Sequence, residues 1–174
     1  IGILHNGDIT GCTSIRDRRY IAGNIKERPI REIWDDPESF AWNRRFTREQ
    51  LTGFCQVCQY AGICLGGCTN TRLTMGGDIT SENRYCSYHV AVDKAKAVLA
   101  KVPDSEIPVK VYKFIENKSY QLAEILLTRA LAANPSDIEL LNHYGFVNFM
   151  LGNYAKARQI NQKVLELEPG NVYA

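Results

Sequence analysis

The sequence has 174 residues, of which 45% are hydrophobic and 23% are charged, and its formal net charge is +2. These values exclude a disordered tail, a collagen-like fibre and a disulfide-stabilised miniprotein. No stretch approaches the roughly 20 apolar residues of a membrane span, and neither half is basic enough for a nucleic-acid surface. We therefore expect neither a membrane nor a nucleic acid as a partner.

The chain begins with a predicted β-hairpin. The segment His5-Asn6-Gly7-Asp8 has the composition of a hairpin turn, and it separates the apolar Ile1–Leu4 from Ile9-Thr10. Gly23-Asn24 predicts a second turn. Because the sequence opens on Ile1, inside an apolar run, we expect it to be a piece of a longer protein.

Two helices are predicted next, over Arg31–Trp34 and from Pro37 to about Arg48. Proline suits the first turn of a helix, so Pro37 is expected to begin the second one. Its aromatic residues are expected to form core contacts: Phe40, Trp42 and Phe46.

A dense cysteine run follows these helices. Four cysteines form a C-x2-C-x5-C-x3-C pattern, and a fifth follows after 17 further residues: Cys55, Cys58, Cys64, Cys68 and Cys86. A C-x2-C pair places two thiolates on one tight turn, which suits a metal and strains a disulfide. Gly62, Gly66 and Gly67 allow the backbone to curl around a bulky ligand.

The start of the sequence shows no secretory signal segment, so a reducing, cytoplasmic compartment and metal ligation are expected rather than disulfides. Structural zinc sites typically use two well-separated pairs of ligands, so the run favours an iron–sulfur cluster, with zinc as the alternative. Three residues after Cys86, His89 is a spare ligand candidate, but a histidine in a turn or helix start is the favoured interpretation. His143, in the repeat, is expected at the surface or in helix packing, and His5 lies in the predicted turn.

A domain boundary is predicted near Lys101–Asp104, because all six cysteines precede it and Pro103 and Pro108 are expected to end the preceding helix. The predicted domains are residues 1–100 and 101–174. The second contains two copies of a 34-residue unit, at about 104–137 and 138–171. The matched positions are Tyr120 and Tyr154, Ala123 and Ala157, Leu131 and Leu165, and Pro135 and Pro169.

This period, with Gly152 at the turn between helices, resembles the tetratricopeptide repeat (TPR). The first copy is degenerate, with Val111 in the place of Gly145 and Lys118 in that of Gly152. One interpretation is a concave surface for a peptide or protein, lined by Asn148 and Asn161. The other is a helical extension that buries one face of the cysteine domain.

The first domain resembles the SPASM domain, the auxiliary-cluster module of radical S-adenosylmethionine (radical SAM) enzymes that modify peptides and proteins. The resemblance spans about residues 3–92 and depends on the cysteine run and on further short motifs: Gly11-Cys12, Gly23-Asn24-Ile25, Ile33-Trp34, Gly66-Gly67-Cys68 and Asn83-Arg84-Tyr85-Cys86. The expected fold class is α+β, a small irregular cysteine-rich domain with a short hairpin and helices, followed by an all-α repeat array.

The resemblance implies that one 4Fe–4S cluster is held by the first three cysteines of the run and the late one: Cys55, Cys58, Cys64 and Cys86. A second family site would use Cys12 and Cys68, but its other cysteine positions hold Arg28 and Asn6. An arginine cannot replace a thiolate. We therefore expect Cys12 and Cys68 to form an incomplete site without a full cluster.

The resemblance implies a role in electron transfer or substrate positioning beside a radical SAM barrel of the same protein. The C-x3-C-x2-C run that binds the catalytic cluster is absent from this sequence, so the chain alone is not expected to cleave S-adenosylmethionine. The rival interpretation is a zinc-stapled protein-interaction module without a redox role. A thiol redox protein is disfavoured, since the C-x2-C pair does not follow a strand in a βαβ pattern.

Overall fold

The computed structural model describes residues 1–174, and it divides into two compact units. The first contains residues 1–56 and 62–83, and the second contains residues 57–61 and 84–174. The predicted domain boundary near residue 101 differs from this division, because the helix over residues 87–99 belongs to the second unit. The combination of a small sheet with many helices confirms the predicted α+β class.

The first unit is built around a three-stranded antiparallel sheet in the order β1-β2-β3. Its strands are β1 (Gly2–Ile3), β2 (Asp8–Thr10) and β3 (Ile21–Asn24). The predicted hairpin is confirmed, with Ile3 opposite Ile9. The turn predicted at Gly23-Asn24 is wrong: both residues lie in β3, where Gly23 pairs with Ile9 and Asn24 with Asp8.

Short helices complete the first unit. They are α1 (Ile30–Asp35), α2 (Ala41–Arg44), α3 (Gly53–Val57, which runs into the second unit), α4 (Ala61–Cys64, whose first residue belongs to the second unit) and α5 (Thr69–Gly76). The helix predicted from Pro37 to about Arg48 is wrong in extent. Phe40 adopts a left-handed conformation with φ 63°, so the helix begins only after it, and a separate 3-10 turn forms over Arg48–Gln50.

Phe40 is nonetheless a core residue, as predicted. It is buried with Ile9 and Ile33 between sheet and helices. A second cluster of buried side chains contains Ile15, Tyr20 and Ile79, against which Trp42 and Phe46 pack. Burying Phe40 at the cost of one left-handed residue explains the interrupted helix, because an aromatic ring gains more from burial than one strained residue costs.

The second unit is helical. Its helices are α6 (Ser87–Leu99), α7 (Ile107–Glu116), α8 (Tyr120–Ala133), α9 (Ile138–Met150) and α10 (Tyr154–Leu167). Pro108 stands in the first turn of α7 and so starts that helix rather than ending α6. The main core includes Val111, Ala123, Leu127 and Val147, all fully buried. None of the helices has the length and apolar character needed to cross a membrane.

The 34-residue period is visible in the backbone. The helices α8 and α10 begin at Tyr120 and Tyr154 and end at Ala133 and Leu167, each 34 residues apart. The small Ala123 and Ala157 are both buried, as expected where two helices approach closely. The two helical hairpins are therefore copies of one unit, although the first differs in sequence.

Candidate functional site

In the first unit, three of the predicted site cysteines stand at helix ends or inside a helix. Cys55 is buried in α3, and its Sγ accepts a hydrogen bond from the backbone N–H of Asn83, with N and S 3.3 Å apart. Cys64 is exposed at the end of α4, and Cys68 is exposed directly before α5. Amide donors to sulfur are a characteristic of iron–sulfur ligation.

The loop between Cys64 and Cys68 has an unusual backbone. Leu65, Gly66 and Gly67 follow one another with φ 48°, 75° and 72°. Glycine adopts these left-handed values without strain, which explains the pair of glycines between the two cysteines. The structure thus confirms the expected curl at Gly66 and Gly67, whereas Gly62 lies inside α4.

The surroundings of Cys68 favour its thiolate form. The Thr71 hydroxyl donates to its sulfur, as do the backbone amides of Thr71 and Asn70, and these bonds lower the pKa of the Cys68 thiol. The thiolate is the form that binds metals and reacts with electrophiles. The lowered pKa therefore favours both metal binding by Cys68 and its reaction with electrophiles.

In the second unit, Cys58 and Cys86 share a tyrosine neighbour. Cys58 is buried, and its Sγ accepts a hydrogen bond from the Tyr60 amide, with N and S 3.4 Å apart. Cys86 is half-buried directly before α6. Burial raises the pKa of the Tyr88 hydroxyl, and the charges of Cys58, Tyr60 and Cys86 raise it further. The Tyr88 ring meets the Tyr60 ring edge-on, with centroids 4.9 Å apart.

Arg28 and Asn6, which stand where a complete second site would have cysteines, make polar contacts with neighbouring side chains. The Arg28 guanidinium lies 3.0 Å from a carboxylate oxygen of Asp36, and Asn6 donates to Asp8 across the hairpin turn at 2.6 Å. Both side chains therefore have structural partners of their own. Cys12 is half-buried and packs against the cluster around Ile15.

The histidines have local partners or lie in a turn. His89 lies in the first turn of α6, where its Nε2 is 3.2 Å from an Asp93 oxygen. His143 lies 3.9 Å from Glu139, one turn earlier on α9, and His5 is in the hairpin turn.

The donor chemistry fits an iron–sulfur cluster. All six cysteines are free thiols, and two of their sulfurs already accept amide hydrogen bonds. Such clusters are held by thiolates and tuned by hydrogen bonds to sulfur. The structure itself gathers no group of three or more His, Cys, Asp or Glu side chains in an arrangement that could hold a metal ion.

Sequence reasoning did not single out Arg72 and Tyr88. Arg72, on α5, is 2% exposed, although its neighbours in the sequence are mostly polar and give no sign of burial. Tyr88 follows Cys86 by two residues, and that proximity was the one signal available. Both are identified by burial, which depends on contacts between distant parts of the chain.

The helical unit has an open cavity of about 530 Å³ between α9 and α10, lined by aromatic and polar side chains. Its lining includes Phe146, Phe149, Tyr154 and Asn161. The prediction that Asn148 lines such a surface is wrong, because its side chain is fully buried and donates to the Tyr144 carbonyl at 2.8 Å. Asn161 does line the cavity, as predicted.

Residues 1–59 match the family model of SPASM, an iron–sulfur cluster-binding domain. This range includes Cys12, Cys55 and Cys58 and ends before Cys64, so it is shorter than the resemblance drawn from the motifs. Residues 114–174 match a tetratricopeptide repeat family. This match supports a role of the helical unit in protein–protein interaction.

Three curated proteins are similar to parts of the chain. The AdoMet-dependent heme synthase of Methanosarcina barkeri is 41% identical over 68 residues, which is 39% of this chain and 19% of that protein. The AdoMet-dependent heme synthase of Nitratidesulfovibrio vulgaris is 36% identical over 86 residues, 49% of this chain and 22% of that protein. The PqqA peptide cyclase of Xanthomonas axonopodis pv. citri is 26% identical over 130 residues, 72% and 34% respectively.

The chain thus spans about a fifth to a third of the length of these relatives. No solved structure matches it significantly. The cysteine motifs, the repeated helical hairpins and the two family matches agree, and the family prediction is confirmed: the chain carries a SPASM iron–sulfur cluster-binding domain, matched over residues 1–59, followed by tetratricopeptide repeats, matched over residues 114–174.

Proposed function

We propose that the chain is the auxiliary-cluster part of a radical SAM enzyme. The observation that carries this proposal is the SPASM match together with 41% identity to an AdoMet-dependent heme synthase. Because the C-x3-C-x2-C run is absent from this sequence, the proposed partner is a radical SAM barrel of the same protein. The barrel would cleave S-adenosylmethionine, and the auxiliary domain would carry electrons or position the substrate beside it.

The proposed cluster is a single 4Fe–4S held by Cys55, Cys58, Cys64 and Cys86. The amide bonds to the sulfurs of Cys55 and Cys58 support this assignment, since such bonds stabilise sulfur in its anionic, metal-bound form. When bound, the cluster would supply a one-electron redox centre.

We propose that Cys12 and Cys68 hold no full cluster of their own. In support, Arg28 and Asn6, at the remaining positions of the second site, are committed to Asp36 and Asp8. Neither side chain can act as a thiolate ligand.

The helical unit is proposed to bind a precursor peptide or a protein partner. Support comes from the tetratricopeptide match and from the cavity between α9 and α10 with its exposed aromatic residues, Phe149 and Tyr154. Similarity to the PqqA peptide cyclase over 130 residues favours a peptide as the substrate class. Aromatic side chains at such a surface provide apolar contact area for a peptide.

Anaerobic reconstitution tests the cluster assignment. We expect about four irons and four sulfides per wild-type chain, with a brown colour and broad visible absorption. Cys86→Ser should lower the iron content, whereas the matched variant Cys68→Ser should keep it, because Cys68 is outside the proposed ligand set.

Two outcomes would contradict the assignment. About eight irons per chain, or an equal loss of iron in Cys86→Ser and Cys68→Ser, would show that the second site also holds a cluster. A colourless chain with stoichiometric zinc after anaerobic iron and sulfide treatment would favour the zinc-stapled interaction module instead.

A further inference from the structure

Arg72 is a buried cation in the cysteine-rich unit. It is the largest of the fully buried side chains, with 2% of its surface exposed, and it lies on α5 four residues after Cys68. Removing an arginine from water is costly unless its charge is compensated nearby. The buried charge of Arg72 therefore requires an anion in its surroundings.

The direct contacts of Arg72 are all with neutral groups. Its guanidinium donates to the Ile79 carbonyl and to the Thr69 hydroxyl, and it lies over the Phe46 ring at 4.8 Å from the centroid. No carboxylate lies within salt-bridge distance, and its Nε is buried without a hydrogen-bond partner. The side chain thus has both an uncompensated charge and an unused donor.

The unused donor lies beside the loop that joins Cys64 and Cys68. A Cβ placed on Gly66 would come within 3.1 Å of Nε and 3.0 Å of Cδ of Arg72. The absence of a side chain at Gly66 is what allows the guanidinium to approach this loop. Gly66 also needs its left-handed φ of 75°, so two constraints select glycine there.

The groups whose negative charge compensates Arg72 are three cysteines, when deprotonated or metal-bound, and Asp78. Burial lowers the pKa of Arg72, and the negative charges of Cys55, Cys64 and Cys68, with that of Asp78, oppose this effect. Two of these thiolates, Cys55 and Cys64, are in the proposed ligand set. A 4Fe–4S cluster with four thiolate ligands carries a net negative charge, which increases by one when the cluster accepts an electron.

We propose that Arg72 is a positioning residue that compensates the charge of the cluster and donates its Nε–H to a cluster or cysteine sulfur. This inference rests on the proposed function, because it needs the cluster. A buried positive charge stabilises the reduced cluster more than the oxidised one. Arg72 therefore raises the midpoint potential for one-electron reduction by an external low-potential donor, and charge and hydrogen bonding to sulfur are the means by which proteins tune this potential.

An EPR-monitored redox titration of the reconstituted chain tests the role. We expect Arg72→Met to weaken cluster reduction at least tenfold relative to wild type, a fall of 59 mV or more for one electron. Arg72→Lys, which retains the charge, should lie closer to wild type. The matched control is Arg31→Met, since Arg31 is 91% exposed in the same unit and paired with Asp35; it should not change the potential.

The results separate two kinds of failure. A wild-type chain that takes up no iron and sulfide would refute the proposed function. A wild-type chain with a cluster, and a folded Arg72→Met chain with an unchanged potential, would refute the role of Arg72 alone.

A second measurement decides the matter if Arg72→Met does not fold. In wild-type chain containing arginine labelled with ¹⁵N in the guanidino group, ENDOR of the reduced cluster should detect a coupled nitrogen. That signal should disappear in Arg72→Lys and persist in Arg84→Lys. Absence of the coupling in wild type, or its loss in Arg84→Lys alone, would overturn the assignment.

Discussion

The turn between the paired helices of the first repeat contains a strained residue, Lys118. Its φ is 56°, in the left-handed region, and Gly152 has φ 74° at the matching position 34 residues later. The next residues also match, since the amide of Ser119 donates to Phe114 and that of Asn153 donates to Asn148, both at 2.8 Å. The two turns therefore have one geometry, with glycine in only one of them, and we expect Lys118→Gly to stabilise the chain.

The magnitude follows from two opposing effects. A left-handed conformation costs an L-residue about 1–2 kcal/mol, and a glycine returns about 0.5–1 kcal/mol of that through its greater freedom in the unfolded chain. The net expectation is a gain of about 0.5–1 kcal/mol in the free energy of unfolding. For a chain of this size, that is a rise of roughly 1–3 °C in Tm.

Urea unfolding of the full chain, followed by far-ultraviolet circular dichroism, measures this effect. Lys118→Gly should raise the urea midpoint without changing the slope. Gly152→Ala should lower it by a similar amount, because it introduces the same strain into the second repeat. Lys118→Ala is the control for the lost charge and should leave the midpoint nearly unchanged.

The reasoning would be refuted by a lower midpoint for Lys118→Gly, or by a Gly152→Ala chain as stable as wild type. Either result would mean that the two turns do not share the backbone conformation described. A rise in Lys118→Ala equal to that in Lys118→Gly would instead attribute the effect to the lysine charge.

Three further predictions concern the repeat core and Cys68. Val111→Ala should destabilise the chain by about 2 kcal/mol, because Val111 is fully buried. Gly145→Ala, at the matching position, should gain less stability than the roughly 1 kcal/mol that helix propensity alone predicts, because the new methyl group would displace the end of the Asn161 side chain; a gain of the full amount would contradict the packing argument. In the metal-free chain, alkylation of Cys68 should reach half its maximal rate below the ordinary thiol pKa of 9.0, because the thiolate is the reacting form. Thr71→Val should move that pH upward and Thr74→Val should not, and an unchanged profile in Thr71→Val would exclude the hydroxyl as the cause.

The SPASM family was predictable because cysteine spacing is a local property of the sequence, and the family match over residues 1–59 confirms it. The assignment of Cys55, Cys58, Cys64 and Cys86 as metal ligands stays a prediction. The partners of the cysteines were not predictable. The Asn83 amide that donates to Cys55 comes from 28 residues away, and no spacing rule reports such a contact.

In the helical repeats, too, the local structure was predictable from the sequence and the packing of side chains was not. The 34-residue period determined where α8 and α10 begin and end, since a repeated unit forms the same local hydrogen bonds in each copy. Whether an asparagine on α9 faces a groove or the core was decided by packing. Asn148 is fully buried with the Tyr144 carbonyl as its partner, whereas Asn161 reaches the cavity.

The sequence by itself determined the two families, the fold class and the candidate ligands, because these depend on residue types at fixed spacings. Only the tertiary structure decided that β3 completes the sheet, that Phe40 interrupts a helix to enter the core, and that Arg72 is buried beside a cysteine loop. These three features depend on contacts between segments distant in the chain. Burial arises only when the chain folds. A buried arginine, unlike an exposed one, needs an anion nearby to compensate its charge.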